Sequence, residues 1–281
     1  MMSSGIPLWS DGLAGDGLAG DARRARYSTL MLLADGRFPS GGHAYSAGME
    51  QAITWGDVRD LAGAEEFLAG RVETLGPMAA QVAAAGNVAA HGAAKAVAPA
   101  GRQSGRTLGE DLDLLDEAVD ARLASASARS VSREQGHRWL RAVRAAWPAW
   151  VPSASYVVLD GRHGWVVLGA VGAAVGLVPS DVARVALYDL VSAPLWAAVR
   201  LLGLDPFAAL EVLVGVLARA DPLASSSAAA AANGAAGTGG TGGTGGTGGT
   251  GGTEWISWLA APLSELAAEA HLQREERLFA S

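Results

Sequence analysis

The chain has 281 residues, of which 50% are apolar and 17% charged, with a formal charge of −7 and no cysteine. That length can bury a core without metal or disulfide staples, while the missing thiols exclude disulfide frameworks, Cys-ligated zinc, iron–sulfur clusters and thiolate chemistry. The acidic balance argues against a nucleic-acid partner, and the single lysine, Lys95 between Ala94 and Ala96, excludes a P-loop nucleotidase.

Residues 1–26 carry Gly-Leu-Ala-Gly units with no basic n-region or continuous apolar run, so they read as a flexible N-terminal arm rather than a secretory signal. Residues 27–223 read as one helical domain. Leu30 to Glu50 reads as an apolar helix, a turn punctuated by Pro39, Gly41 and Gly42, and a second helix. That second helix carries Glu50 and Asp57 instead of the basic residues a DNA reader needs. Leu61, Leu68, Val72 and Leu75 share one helical face, as do Leu108, Leu112, Leu115, Val119 and Leu123. The Trp139, Leu140, Val143 and Trp147 pattern predicts a helix stopping near Pro148. Short strands are expected at Tyr156–Leu159 and Val166–Leu168. Trp165 to Val178 is too short to span a bilayer and reads as a buried helix, with Gly169, Gly172 and Gly176 on the side of a close helix contact. Further helices are expected from Pro179 to about Ser192 and from Asp205-Pro206 onward. Polyalanine and Gly-Gly-Thr repeats make 224–253 a flexible linker, and 254–281 a C-terminal helix and tail. The fold class is therefore all-α, with about eight to ten helices, and the expectation is a cytoplasmic protein with no membrane segment.

Candidate chemistry is sparse. None of His43, His91, His137, His163 and His271 pairs at metal-binding spacing, so no metal residue is predicted, and no nucleophile elbow is present. Arg129, Arg133, Arg138, Arg141 and Arg144 form either a solvated face or a docking surface for an acidic partner. Arg200, set among Trp196 to Leu202, is expected to be buried, where it would need an ion pair, an interface or the transition state of a partner nucleotidase. Leu278 and Phe279 close a charged terminal helix suited to docking on this core or on a partner.

Four blocks resemble a known family in their residues and their order. Leu32-Leu-Ala-Asp-Gly-Arg-Phe-Pro-Ser-Gly-Gly-His-Ala-Tyr-Ser-Ala-Gly-Met-Glu50 is similar to the N-terminal signature of the urease accessory protein UreF, with Met49 for the usual leucine and His43 where many members carry Phe or Tyr. Ser132-Arg-Glu-Gln-Gly-His-Arg138, the stretch from His163 through Ala197-Ala-Val-Arg-Leu-Leu-Gly-Leu-Asp205, and the ending His271 to Ser281 resemble the family's other blocks. The resemblance implies a non-enzymatic, all-helical maturation factor. With UreD (also called UreH) and the GTPase UreG it would deliver nickel to apo-urease, itself tending to dimerise. It assigns UreD docking to Arg277, Leu278 and Phe279, and a partner-binding surface to Gly42, His43, Tyr45, Ser46 and Glu50. No permanent cofactor is implied: nickel is handled transiently by the complex and GTP is bound by the partner. The alternative is a GTPase-activating regulator of UreG acting through Arg133 or Arg200.

Overall fold

The computed structural model describes residues 16–40, 45–96, 107–148, 158–235, 253–259, 265–267, 269 and 270. These residues form α1 (Asp16–Ala34), α2 (Met49–Trp55), α3 (Leu61–Ala96), α4 (Leu108–Arg122), α5 (Ala126–Ala146), α6 (Gly164–Ala174), α7 (Pro179–Leu202) and α8 (Pro206–Ala235), with no β-strand among them. The chain is all-α, as its periodicity requires.

The central element is α3, which packs against α4, α6, α7 and α8. Leu68, Val72, Leu75, Met78 and Val82 recur on one face and are buried, and an alanine-rich second half lets neighbouring backbones come close. The closest neighbour is α6. A Cβ on Gly169 would collide with the carbonyl of Ala83 and the amide of Asn87, and one on Gly172 with Val182. Both glycines therefore serve the helix contact their spacing suggests. Gly176 does not: it lies beyond α6 at φ +84° with open space around it and makes the turn into α7. Buried Asn87 bolts the contact by donating to the carbonyls of Gly169 (3.2 Å) and Leu177 (3.1 Å).

Several elements depart from the expected pattern. Val166–Leu168 is not a strand but the middle of α6, because a helix buried on all sides loses the polar face that would reveal its period. Val158 and Leu159 form a helical turn, and Tyr156 and Val157 lie outside the described residues. Helix α7 does not end near Ser192; it passes through Pro194 to Leu202, held by buried Leu195, Ala197 and Ala198. It is long and apolar enough to cross a bilayer, but more than half of that apolar stretch is buried in the bundle. At the N-terminal side the helix starts at Asp16, inside the expected arm, and Arg26 docks α1 on Asp181 at 2.6 and 2.9 Å. The Asp181 hydrogen bond is the main reason the Arg26 pKa is raised. At the other end α8 continues to Ala235, through the alanine-rich start of the expected linker. Ala224, Ser227 and Ala231 are buried there, so small side chains that offer little burial alone fit a groove that already exists. The Gly-Gly-Thr repeat lies outside the described residues.

Candidate functional site

The turn-and-helix corner is built by backbone geometry. Ala47 (φ 50°) and Gly48 (φ 88°) are both left-handed, reversing the chain into α2, which then seats Met49 and Ala52 against Ala197 and Ala198 of α7. Of the expected partner surface, three residues are described. Tyr45, Ser46 and Glu50 are buried within the chain, at 7%, 1% and 4% exposure. Tyr45 lies under the Arg138 guanidinium, 5.5 Å from its ring centre. Gly42 and His43 lie outside the described residues.

Of the basic run on α5, Arg133 is consumed internally. Its guanidinium reaches Asp116 (2.8 Å) and Asp120 (2.6 Å) on α4 and the Gly161 carbonyl (2.6 Å). Buried His163, at the start of α6, completes the knot: its amide donates to Asp116, and its Nε2 lies 3.0 Å from Asp120. Burial pushes the His163 pKa down despite the nearby carboxylates. Burial also works to raise Asp120, but the His163 and Arg133 contacts outweigh it and hold that carboxyl below its usual range. Asp116, Asp120 and His163 present ligand atoms within 4.8 Å of one another. Histidine spacing could not reveal this group, since two helices supply it. Arg133 already takes the charge a cation would otherwise neutralise, so the cluster reads as a tie between α4, α5 and α6.

Arg200 is exposed rather than buried, because the chain ends α7 within one turn of it and leaves the guanidinium beside the helix C-terminus, where positive charge is favoured. With Asp35, Ser40, Tyr188, Asp189 and Trp196 it lines a cavity of about 240 Å³.

A second cavity, of about 130 Å³, lies on the other side of Asp189. Arg71 of α3 projects into its wall and is held by the carbonyls of Ala47 (3.0 Å) and Leu190 (3.4 Å). Asp189 accepts from Gln135 at 2.5 Å. Burial lowers the Arg71 pKa to about 10 and raises that of Asp189 to about 6. Neither charge was singled out from sequence, although each has a legible signal: a charge on the apolar face of an amphipathic helix.

The C-terminal segment closes the same region. Arg122 gathers the carbonyls of Ser257 (2.9 Å), Thr253 and Ile256 (both 3.1 Å) and stacks on Trp258 at 3.8 Å. Glu265 accepts from the Ser125 amide, and Glu269 from the Ser125 hydroxyl and the Ser127 amide, so two carboxylates cap α5. Arg277, Leu278 and Phe279 lie outside the described residues.

The corner, the α4–α5–α6 tie and the α7 end coincide with the blocks that carry the resemblance, and the family model for UreF matches residues 58–217. The chain belongs to the UreF family. A urease accessory protein UreF of Mycobacterium sp. (strain JLS) is 35% identical over 264 residues, covering 90% of this chain and 98% of the relative. The UreF of Mycobacterium marinum is 34% identical, with 90% and 97% covered. That of Mycobacterium tuberculosis (strain H37Rv) is 38% identical over 180 residues, 64% of this chain and 74% of the relative. The UreF-family match thus spans α3 to α7 and the first part of α8.

Proposed function

We propose that this chain is a urease maturation factor, a non-enzymatic cytoplasmic scaffold that joins UreD/UreH and the GTPase UreG to deliver nickel to apo-urease. The observation that carries this reading is family membership over nearly the full length of relatives named urease accessory protein. The sequence supports the division of labour: with Ala94-Lys95-Ala96 as its only lysine context, the chain has no P-loop of its own, and GTP hydrolysis of that kind falls to a partner. Nickel is cargo here rather than a resident cofactor. A homodimer is the proposed assembly unit, and Arg277, Leu278 and Phe279 the UreD contact. Arg200, exposed at the α7 terminus, remains the arginine suited to face a partner; Arg133 is already committed to two aspartates.

Co-expression with tagged UreD and UreG, then pull-down and size exclusion with and without GTP and nickel, tests the scaffold. Co-elution with UreD, and with UreG when nucleotide is supplied, is expected. Elution of a folded chain alone would overturn it. A chain ending before Arg274 should lose UreD; normal retention would refute the tail assignment. Unchanged UreG turnover with Arg200→Ala in the assembled complex would remove any arginine-finger role.

A further inference from the structure

The 130 Å³ cavity has a buried cation, Arg71, and a half-buried anion, Asp189, in one wall with no hydrogen bond or direct ion pair between them. Among the described residues Arg71 is fastened to two backbone carbonyls and Asp189 to Gln135, so each is held in place by neutral groups. Burial disfavours both charges, and their attraction for each other offsets only part of that cost, so the Arg71 pKa stays lowered and that of Asp189 raised. Opposite charges in a space poor in water gain most from a partner in direct contact, and the hydrogen bonds of Arg71 and Asp189 go to other groups instead. Glu265, the remaining carboxylate of the wall, is already met by the Ser125 amide at the α5 N-terminus. What remains is one positive and one negative centre that attract each other without touching, only partly compensated, beside a space lined by Leu75, Val131 and Trp165. A single water needs only about 10–15 Å³ of such space, so there is room for a small organic molecule.

We infer that this cavity binds a small zwitterion of the free α-amino-acid class, its carboxylate on Arg71, its ammonium on Asp189 and a short aliphatic side chain against the apolar wall. A purely cationic ligand would leave Arg71 uncompensated, and a purely anionic one Asp189. Arginine recognises a carboxylate through directed N–H donors, and an ammonium offers the donors that Asp189 accepts.

The test uses the full chain in isothermal titration with L-valine and L-alanine, beside the methyl ester and the N-acetyl form of each. The zwitterions should bind, and each analogue, having lost one charge, should bind at least about tenfold more weakly. Asp189→Asn should weaken valine by a similar factor and leave N-acetylvaline unaffected. Absence of heat with either amino acid at ~10 mM would overturn the assignment and leave the cavity to water. Equal binding of ester, N-acetyl form and zwitterion would overturn it as well. Should Asp189→Asn fail to fold, the analogues on the unaltered chain still decide.

Discussion

The contact between α3 and α6 and the polar layer where α3, α5 and α7 face the smaller cavity lie side by side, and they are built on opposite principles. In the first, glycines and alanines remove side chains until backbones touch, and the one polar group, Asn87, is spent on two carbonyls. In the second, Arg71 and Asp189 attract each other across a gap but send their hydrogen bonds to other groups. The first arrangement maximises close packing and tolerates no added atom. The second retains part of the cost of burying charge.

The largest effect should come from breaking the first region. Gly169→Val places a branched side chain onto the Ala83 carbonyl, and a loss of about 3 kcal/mol or more in urea denaturation is expected. The polar layer should answer with the opposite sign. The Asp189 carboxyl is raised from 3.8 to about 6 on folding, so the folded state prefers the proton. Its penalty is absent below pH 3.8, grows as pH rises and is complete above about 6. Asp189→Asn should therefore stabilise the fold by about 2 kcal/mol at pH 8 and by little at pH 4, in parallel denaturations. Loss of stability at pH 8 would mean the charge is compensated within the chain.

Arg122→Ala sharpens the contrast from outside both regions. Removing the donor to three carbonyls of the C-terminal segment, with its stacking on Trp258, should cost about 2 kcal/mol and speed hydrogen exchange at 253–259 before it touches α3. Gly176→Ala separates conformation from packing. With open space at its Cβ, only the left-handed backbone is penalised, and about 1 kcal/mol is expected, well below the Gly169 effect. The smallest change belongs to the surface: Arg219→Ala, losing an exposed pair with Glu65, should stay within about 0.5 kcal/mol.

Much of the fold is legible in the residues because its elements are amphipathic, and an apolar stripe shows in a linear string. The buried faces of α3, α4 and α5 are those that periodicity assigns. Where burial is all-round the signal fails, so Val166–Leu168 of α6 reads as a strand, and α7 is expected to stop near Ser192 although it runs on to Leu202. One stop signal was overridden because tertiary contacts on Leu195, Ala197 and Ala198 outweigh a missing donor. A further signal is legible in Thr107-x-x-Glu110, which forms a reciprocal capping box at the start of α4.

The candidate residues divide differently. Their kinds were visible, their exposure was not. Arg133, Arg200 and the Tyr45–Ser46–Glu50 corner stand out as charge, spacing and motif, but whether an arginine faces an aspartate or solvent depends on which helix crosses it. By itself the sequence determined an all-helical chain, without cysteine or P-loop, whose ordered blocks place it in the UreF family, since these follow from composition, period and motif. Only the tertiary structure decided that Arg133 is spent on Asp116 and Asp120, that Tyr45, Ser46 and Glu50 are buried, and that Arg71 and Asp189 share a cavity wall without a direct ion pair. Those outcomes join residues distant in the chain, and distance through space is set by packing rather than by order along the backbone.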